Sequence, residues 1–148
     1  MVKAQATSAA ADLEALREAN ERFYRALESL DLGAMDRLWL HEGWVHCVHP
    51  GWDAISGWEA VRGSWEQIFA NTIWIRVTAT AVRLEIAGDF GIVACAENIT
   101  AKSGEDVGLA VAQATNIFRR GPEGWRMIHH HASPAPVQVT HPFTGTVQ

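Results

Sequence analysis

An α+β fold, with helices in the first half of the chain and a highly curved, mostly antiparallel sheet in the second, follows from three observations. Apolar residues recur at helical spacing in the first third and again around residues 58–68. From Ile73 onward the period changes to two. Glycine-containing turns then cut the remainder into long strands. Helices that precede such a sheet pack into its concave face.

Leu13, Leu16, Phe23, Leu27 and Leu30 mark one face of a long amphipathic helix; Asn20 falls on that stripe and Tyr24 lies beside it. Asp31 is placed to cap a second, short helix with Leu32, Met35 and Leu38-Trp39 inward. Gly43 opens a strand carrying Trp44-Val45-His46-Cys47-Val48-His49, stopped by Pro50-Gly51 with Trp52 directly after. Ser56 with Glu59 is a capping-box pattern for a third helix whose apolar side is Trp58, Val61, Trp65 and Ile68.

Ile73, Ile75 and Val77 alternate with polar neighbours, but Val82, Leu84 and Ile86 fall on the opposite parity, which predicts a bulge near Thr80. Gly88-Asp89 leads to a strand over 90–100, Ser103-Gly104 to a long strand ending near Arg119, and Gly121-Pro122-Glu123-Gly124 to a last strand over 125–132. Residues 133–148 hold Pro134, Pro136 and Pro142 and are expected to form an irregular tail on a single domain spanning 1–148.

With 48% apolar and 20% charged residues over 148, the chain is globular, and a net charge of −5 without a basic cluster argues against a nucleic-acid surface. No apolar run reaches membrane-spanning length and the first residues lack a signal-peptide core, so a cytoplasmic protein with no membrane partner is expected. Cys47 and Cys95 sit in apolar runs without metal or redox spacing and read as buried thiols. Nucleophile-elbow, phosphate-loop and dinucleotide patterns are absent. Seven tryptophans fit a core or an aromatic-lined cavity. Runs such as Ala94-Cys95-Ala96 and Val111-Ala112 are uncharged on both parities, which predicts that the outer sheet face meets a second copy in a homodimer.

His49 is the strongest candidate acid or base, since an imidazole titrates near neutral pH; the plainer alternative is a histidine that hydrogen-bonds a turn. Asn116 interrupts an apolar strand, where its amide either donates to a developing enolate oxygen or bonds a neighbouring strand. His129-His130-His131 cannot all face one way. His129 and His131 with a third imidazole or Glu97 form a rival metal set whose spacing is compatible but not diagnostic, and no metal is assigned. Trp58 and Trp65 fit the inner side of their helix, whereas Trp52 in a loop is placed to cover a cavity mouth or an interface.

Arg22-Phe23-Tyr24-Arg25-Ala26-Leu27, Asp31-Leu32-Gly33, Gly57 with Ala60-Val61, and Gly124-Trp125-Arg126-Met127-Ile128-His129 resemble the nuclear transport factor 2-like superfamily, within it the SnoaL-like group. The resemblance runs from about Leu13 to Pro134 and implies a cone-shaped sheet enclosing a pocket. In ketosteroid isomerase, a similar family, the catalytic aspartate falls on His49, the protonated oxyanion donor on Asn116, the helix tyrosine on Phe23, where the hydroxyl is missing unless Tyr24 substitutes, and a pocket aromatic on Trp65. In the association domain of calcium/calmodulin-dependent protein kinase II, the pocket arginines fall on the neutral residues Asn98, Asn116 and Ala132. The resemblance also implies that Ile128, His130 and Ala132 face the cavity with Arg126 at its rim, while His129 and His131 face the other side. Asn98 then shares the parity of Asn116, and Glu97 lies opposite, paired with His129 or His131 across the interface.

The expected activity is a cofactor-independent isomerase, dehydratase or cyclase acting on a small apolar or aromatic carbonyl compound. His49, Asn116 and His130 would be catalytic, and Tyr24, Trp52, Trp65 and Asn98 would bind the ligand. The alternative is a non-catalytic domain that binds a hydrophobic ligand or assembles with a partner.

Overall fold

The computed structural model describes residues 2–137, with side chains from residue 8 onward. Three helices, α1 (Val2–Ser29), α2 (Leu32–Leu38) and α3 (Trp58–Ala70), lie with six strands: β1 (His46–Val48), β2 (Ile55–Ser56), β3 (Trp74–Ala87), β4 (Phe90–Ser103), β5 (Asp106–Gly121) and β6 (Gly124–Ala135). The strands form one sheet in the order β2-β1-β6-β5-β4-β3, parallel between β1 and β6 and antiparallel elsewhere. The α+β reading therefore holds, and so does the mostly antiparallel, curved sheet.

Leu16, Ala19, Asn20, Phe23, Tyr24, Ala26 and Leu27 are the buried positions of α1, while Leu13 at the start of the predicted stripe is 39% exposed. α1 lies very close to the sheet at Gly91, where a Cβ would come within 2.6 Å of the Leu16 Cδ1. Only the missing side chain admits that approach. Asp31 caps α2 as expected, its Oδ1 accepting the Ala34 N–H at 3.1 Å.

Two predicted starts differ. β1 begins at His46, because Gly43 and Trp44 form a turn instead of pairing. α3 is capped by Gly57 with no side-chain bond, since Ser56 is taken into β2 opposite His46. The capping box is thus overruled by strand pairing.

The predicted bulge lies in β3 between Thr80 and Arg83, with Ala81 at φ 53. A second irregularity between Ile117 and Phe118 shifts β6, so that Trp125 and Met127 point inward before it and His130 and Ala132 after it. Ile128 and Arg126 are half-buried at that shift, Ile128 against the edge of the core and Arg126 donating to the Trp39 carbonyl. β6 also runs on through Ser133 and Pro134 to Ala135, three residues that were expected in the tail. Pro134 pairs with Ala112 beyond the point where β1 ends at His131, on a stretch of β6 with no strand on its other side. Pro142 lies outside the described residues.

Candidate functional site

The inner face of β4, β5 and β6 brings three polar side chains, Glu97, Asn116 and His130, under Asn20 and Tyr24 of α1. In β5, Asn116 is fully buried. Its Oδ1 is 2.6 Å from the His130 Nδ1, and its Nδ2 is 2.9 Å from the Asn20 Oδ1 and 3.1 Å from the Tyr24 hydroxyl. Tyr24 in turn donates to the Glu97 Oε2 at 2.7 Å. With Glu97 ionised the directions close on one solution, the Cys95 thiol 3.3 Å away being left to donate to the Tyr24 oxygen. An amide oxygen only accepts, so His130 carries its proton on Nδ1. Asn116 donates to Tyr24, and the one hydroxyl proton of Tyr24 goes to Glu97. His130, Asn116, Tyr24 and Glu97 therefore form a head-to-tail chain of donors in which each bond polarises the next.

His49 forms a separate corner. Pro50 and Gly51, the latter at φ 82, make a turn in which the His49 carbonyl accepts the Trp52 N–H at 2.9 Å. The imidazole is buried, with Nε2 at 2.8 Å from the Ser64 Oγ. Ser64 spends its only hydroxyl proton on the Val61 carbonyl at 2.6 Å, so His49 must donate from Nε2. The Trp65 ring flanks both parts, edge-on to His49 at 4.6 Å and tilted beside His130 at 5.9 Å between ring centres, with Phe23 4.9 Å from His130. The imidazoles of His49 and His130 are 6.3 Å apart and share no bond.

Burial sets the charge states. It holds His49 down to about 4 and His130, with help from the nearby imidazoles, down to about 3, so both rings are neutral near pH 7. Burial pushes Glu97 up to about 7, opposed in part by the Tyr24 hydrogen bond. Tyr24 is pushed far above its usual range by burial and by Glu97. The group that titrates at working pH is therefore the carboxyl, not the imidazole that the sequence singled out.

His49, Asn116 and His130 do face one side of the sheet, with Trp65 flanking both imidazoles and Phe23 packed against His130. The principal cavities open elsewhere. Tyr24 reaches Asn116, as its role of substitute for a tyrosine at Phe23 requires. Trp65 is fully enclosed with its indole N–H unpartnered among the described residues, and Trp52, 39% exposed, stands edge-on over His49.

Two assignments are reversed. Asn98 points to the outer face, where its amide donates to Thr80 Oγ1 and the Thr78 carbonyl. Glu97 points inward and is 3% exposed. The cause is register: Glu97 pairs with Ala112, and Ala112 shares its face with Asn116. Counting outward from the two-residue turn Gly104-Glu105 would have shown this in the sequence. Asn20, hidden as a polar interruption of the helix stripe, also joins the site.

His129 and His131 face outward as implied, and His46 joins them, its Nδ1 3.3 Å from that of His129. Glu97 lies across the sheet and cannot complete a metal set there. Among the described residues no three His, Cys, Asp or Glu side chains converge to hold a metal ion.

Comparison with known proteins agrees with this architecture. Residues 16–138 match the SnoaL-like domain. A structure from Streptomyces avermitilis, named as a candidate dehydratase of the NTF2-like family, is 39% identical with a TM-score of 0.81, covering 86% of this chain and 98% of that one. A candidate calcium/calmodulin-dependent protein kinase type II association domain from Thiobacillus denitrificans is 31% identical over 80% of this chain and 93% of its own, with a TM-score of 0.68. An NTF2-like superfamily protein of Salmonella enterica, 15% identical with a TM-score of 0.80 over 91% of this chain and 98% of that one, shares the fold. The F-box protein SKIP8 of Arabidopsis thaliana is 30% identical over 123 residues, 83% of this chain and 51% of that protein, so the chain spans about half the length of this curated relative. The chain belongs to the SnoaL-like domain family, within the NTF2-like superfamily.

Proposed function

We propose that this SnoaL-like domain is a cofactor-independent proton-transfer enzyme of the dehydratase or isomerase kind, acting on a small, largely apolar carbonyl compound. The observation that carries the reading is the donor chain from His130 through Asn116 and Tyr24 to Glu97, ending in a carboxyl held near half-protonation at neutral pH. When Glu97 is protonated its O–H can donate to the Tyr24 oxygen, which reverses that bond and frees the Tyr24 hydroxyl proton. That proton passes to a carbonyl or leaving hydroxyl oxygen as the Glu97 proton replaces it. His130, whose Nε2 lone pair is left free by the Nδ1 bond, takes the proton from carbon. Positive charge forming on that ring is balanced by the carboxylate that appears at the other end of the chain. His49, tied to Ser64 and outside this chain, pins the end of β1 to α3.

The relative named as a candidate dehydratase supports the reaction class. A second reading, a non-catalytic ligand-binding or assembly domain, is favoured by the Trp65 and Phe23 rings that close off His130, and by the match to one half of a larger plant protein. In either case the outer sheet face, with Phe90, Ile92, Val107 and Leu109 exposed, would pair with a second copy.

The test is exchange of the α-protons of 1-tetralone in D2O, followed by proton NMR. Exchange above the buffer rate is expected, with Glu97→Gln and His130→Gln each lowering it by at least about 100-fold and His49→Gln changing it by less than about threefold. An enzyme rate equal to buffer, or a His49 loss as large as the Glu97 loss, contradicts this mechanism.

A further inference from the structure

α1 and β3 leave between them a cleft of about 370 Å³ that the mechanism above does not require. Its floor is Asn20 and Tyr24, and its apolar wall is Val77, Ala79 and Val82. Asn20 is 3% exposed, and its Oδ1 is committed to the amide of Asn116. That bond fixes the orientation of the Asn20 amide and leaves its own NH2 without a protein partner among the described residues. Unlike the enclosed indole N–H groups of Trp39 and Trp65, this donor keeps access to the cleft, where it can hold a ligand oxygen.

Two further features bring this cleft to the relay. Tyr24 in the floor bonds Glu97, and Ala79 in the wall is the cross-strand partner of Glu97. The small side chain of Ala79 keeps that approach open. The bulge contributes as well: Ala81 holds a left-handed backbone at φ 53, unusual for a residue with a Cβ, and the resulting change of parity turns Val82 into the wall. At the rim, Arg17 and Arg25 are matched by Glu21 and Glu28, so the charges balance.

We propose that the α1–β3 cleft is a binding site for a small, uncharged, mainly apolar molecule of one or two rings, whose carbonyl or hydroxyl oxygen accepts an N–H from Asn20 beside the Tyr24 hydroxyl. The volume lies at the lower end of the roughly 300–1,000 Å³ of small-molecule pockets. Binding here goes beyond the proton-transfer reading and does not depend on it, since His130 does not line the cleft.

Titration of the whole chain with 1-tetralone, followed by amide NMR and thermal shift, tests it. Saturable binding is expected, with the shifts centred on Asn20, Tyr24 and residues 77–82. Tetralin, which lacks the oxygen, should bind at least about tenfold more weakly. Val82→Trp, at a position 37% exposed, fills the cleft without entering the core and should weaken 1-tetralone at least about tenfold at an unchanged Tm. Glu97→Gln should keep the binding, so a protein that binds without exchanging protons leaves the site standing and removes only the mechanism. No saturable binding, equal affinity for tetralin, an unaffected Val82→Trp variant, or shifts centred on Trp52 and Trp65 would each overturn the proposal.

Discussion

The two buried imidazoles of this domain sit 6.3 Å apart on the same side of one sheet, and they are used in opposite ways. His130 hands its proton to Asn116 and so enters a chain that ends at a titrating carboxyl. His49 donates to a serine already committed to a backbone carbonyl, its other neighbour is the buried Cys47 thiol, and no carboxyl follows. Residue type and burial are the same in both places. What differs is the direction in which the next hydrogen bond runs, and that decides which ring can move a proton and which can only hold a strand end.

The sharpest way to break this contrast is at the node of the longer chain. Asn116→Leu leaves the His130 Nδ1–H and the Asn20 oxygen buried without partners, and is expected to cost about 3–5 kcal/mol in urea denaturation. A cost near that of an exposed substitution would mean that the chain is not continuous.

Next in size is the carboxyl. Glu97 has a folded pKa raised to about 7 from its ordinary 4.5, so the native state holds the proton more tightly than the unfolded one. Stability is then lost as pH rises from about 4.5 through 7, by up to about 3 kcal/mol. Glu97→Gln keeps an acceptor for Tyr24 and removes that loss. Its Tm should exceed that of the wild type at pH 8 and match it near pH 4.5, while in both proteins His49 and His130 cause a separate loss below about 6.5 that continues toward 4 and 3. Equal Tm values at pH 8 would contradict the assignment.

The smallest effect belongs to the corner. Ser64→Ala removes one partner of His49 and should cost only about 1–2 kcal/mol by the same denaturation. A loss as great as that of Asn116→Leu would erase the distinction between the two regions.

Much of this architecture is legible in the residues, for identifiable reasons. The α1 stripe, the Asp31 cap, the turn at Pro50-Gly51 and the bulge beyond Thr80 are local features with local causes. The capping box at Ser56 failed because a strand pairing claimed the residue, a tertiary effect invisible to a four-residue pattern. Asn98 and Glu97 were exchanged because a one-residue error in parity moves every side chain to the other face. His49 drew attention as an imidazole at a strand end, but its low pKa and its serine partner depend on α3, a helix whose docking the sequence does not specify. Asn20 and Tyr24 carry the site from a helix that periodicity alone describes as core packing.

The account rests on Glu97 being the proton-carrying end of a chain that runs through Tyr24. The most direct measurement is a pH titration of the Glu97 side-chain carboxyl carbon by 13C NMR, in the wild type and in Tyr24→Phe. A midpoint near 7 that moves higher when the hydroxyl is removed is the predicted result, since the Tyr24 bond favours the ionised form. A midpoint near 4.5, unmoved by Tyr24→Phe, would contradict it.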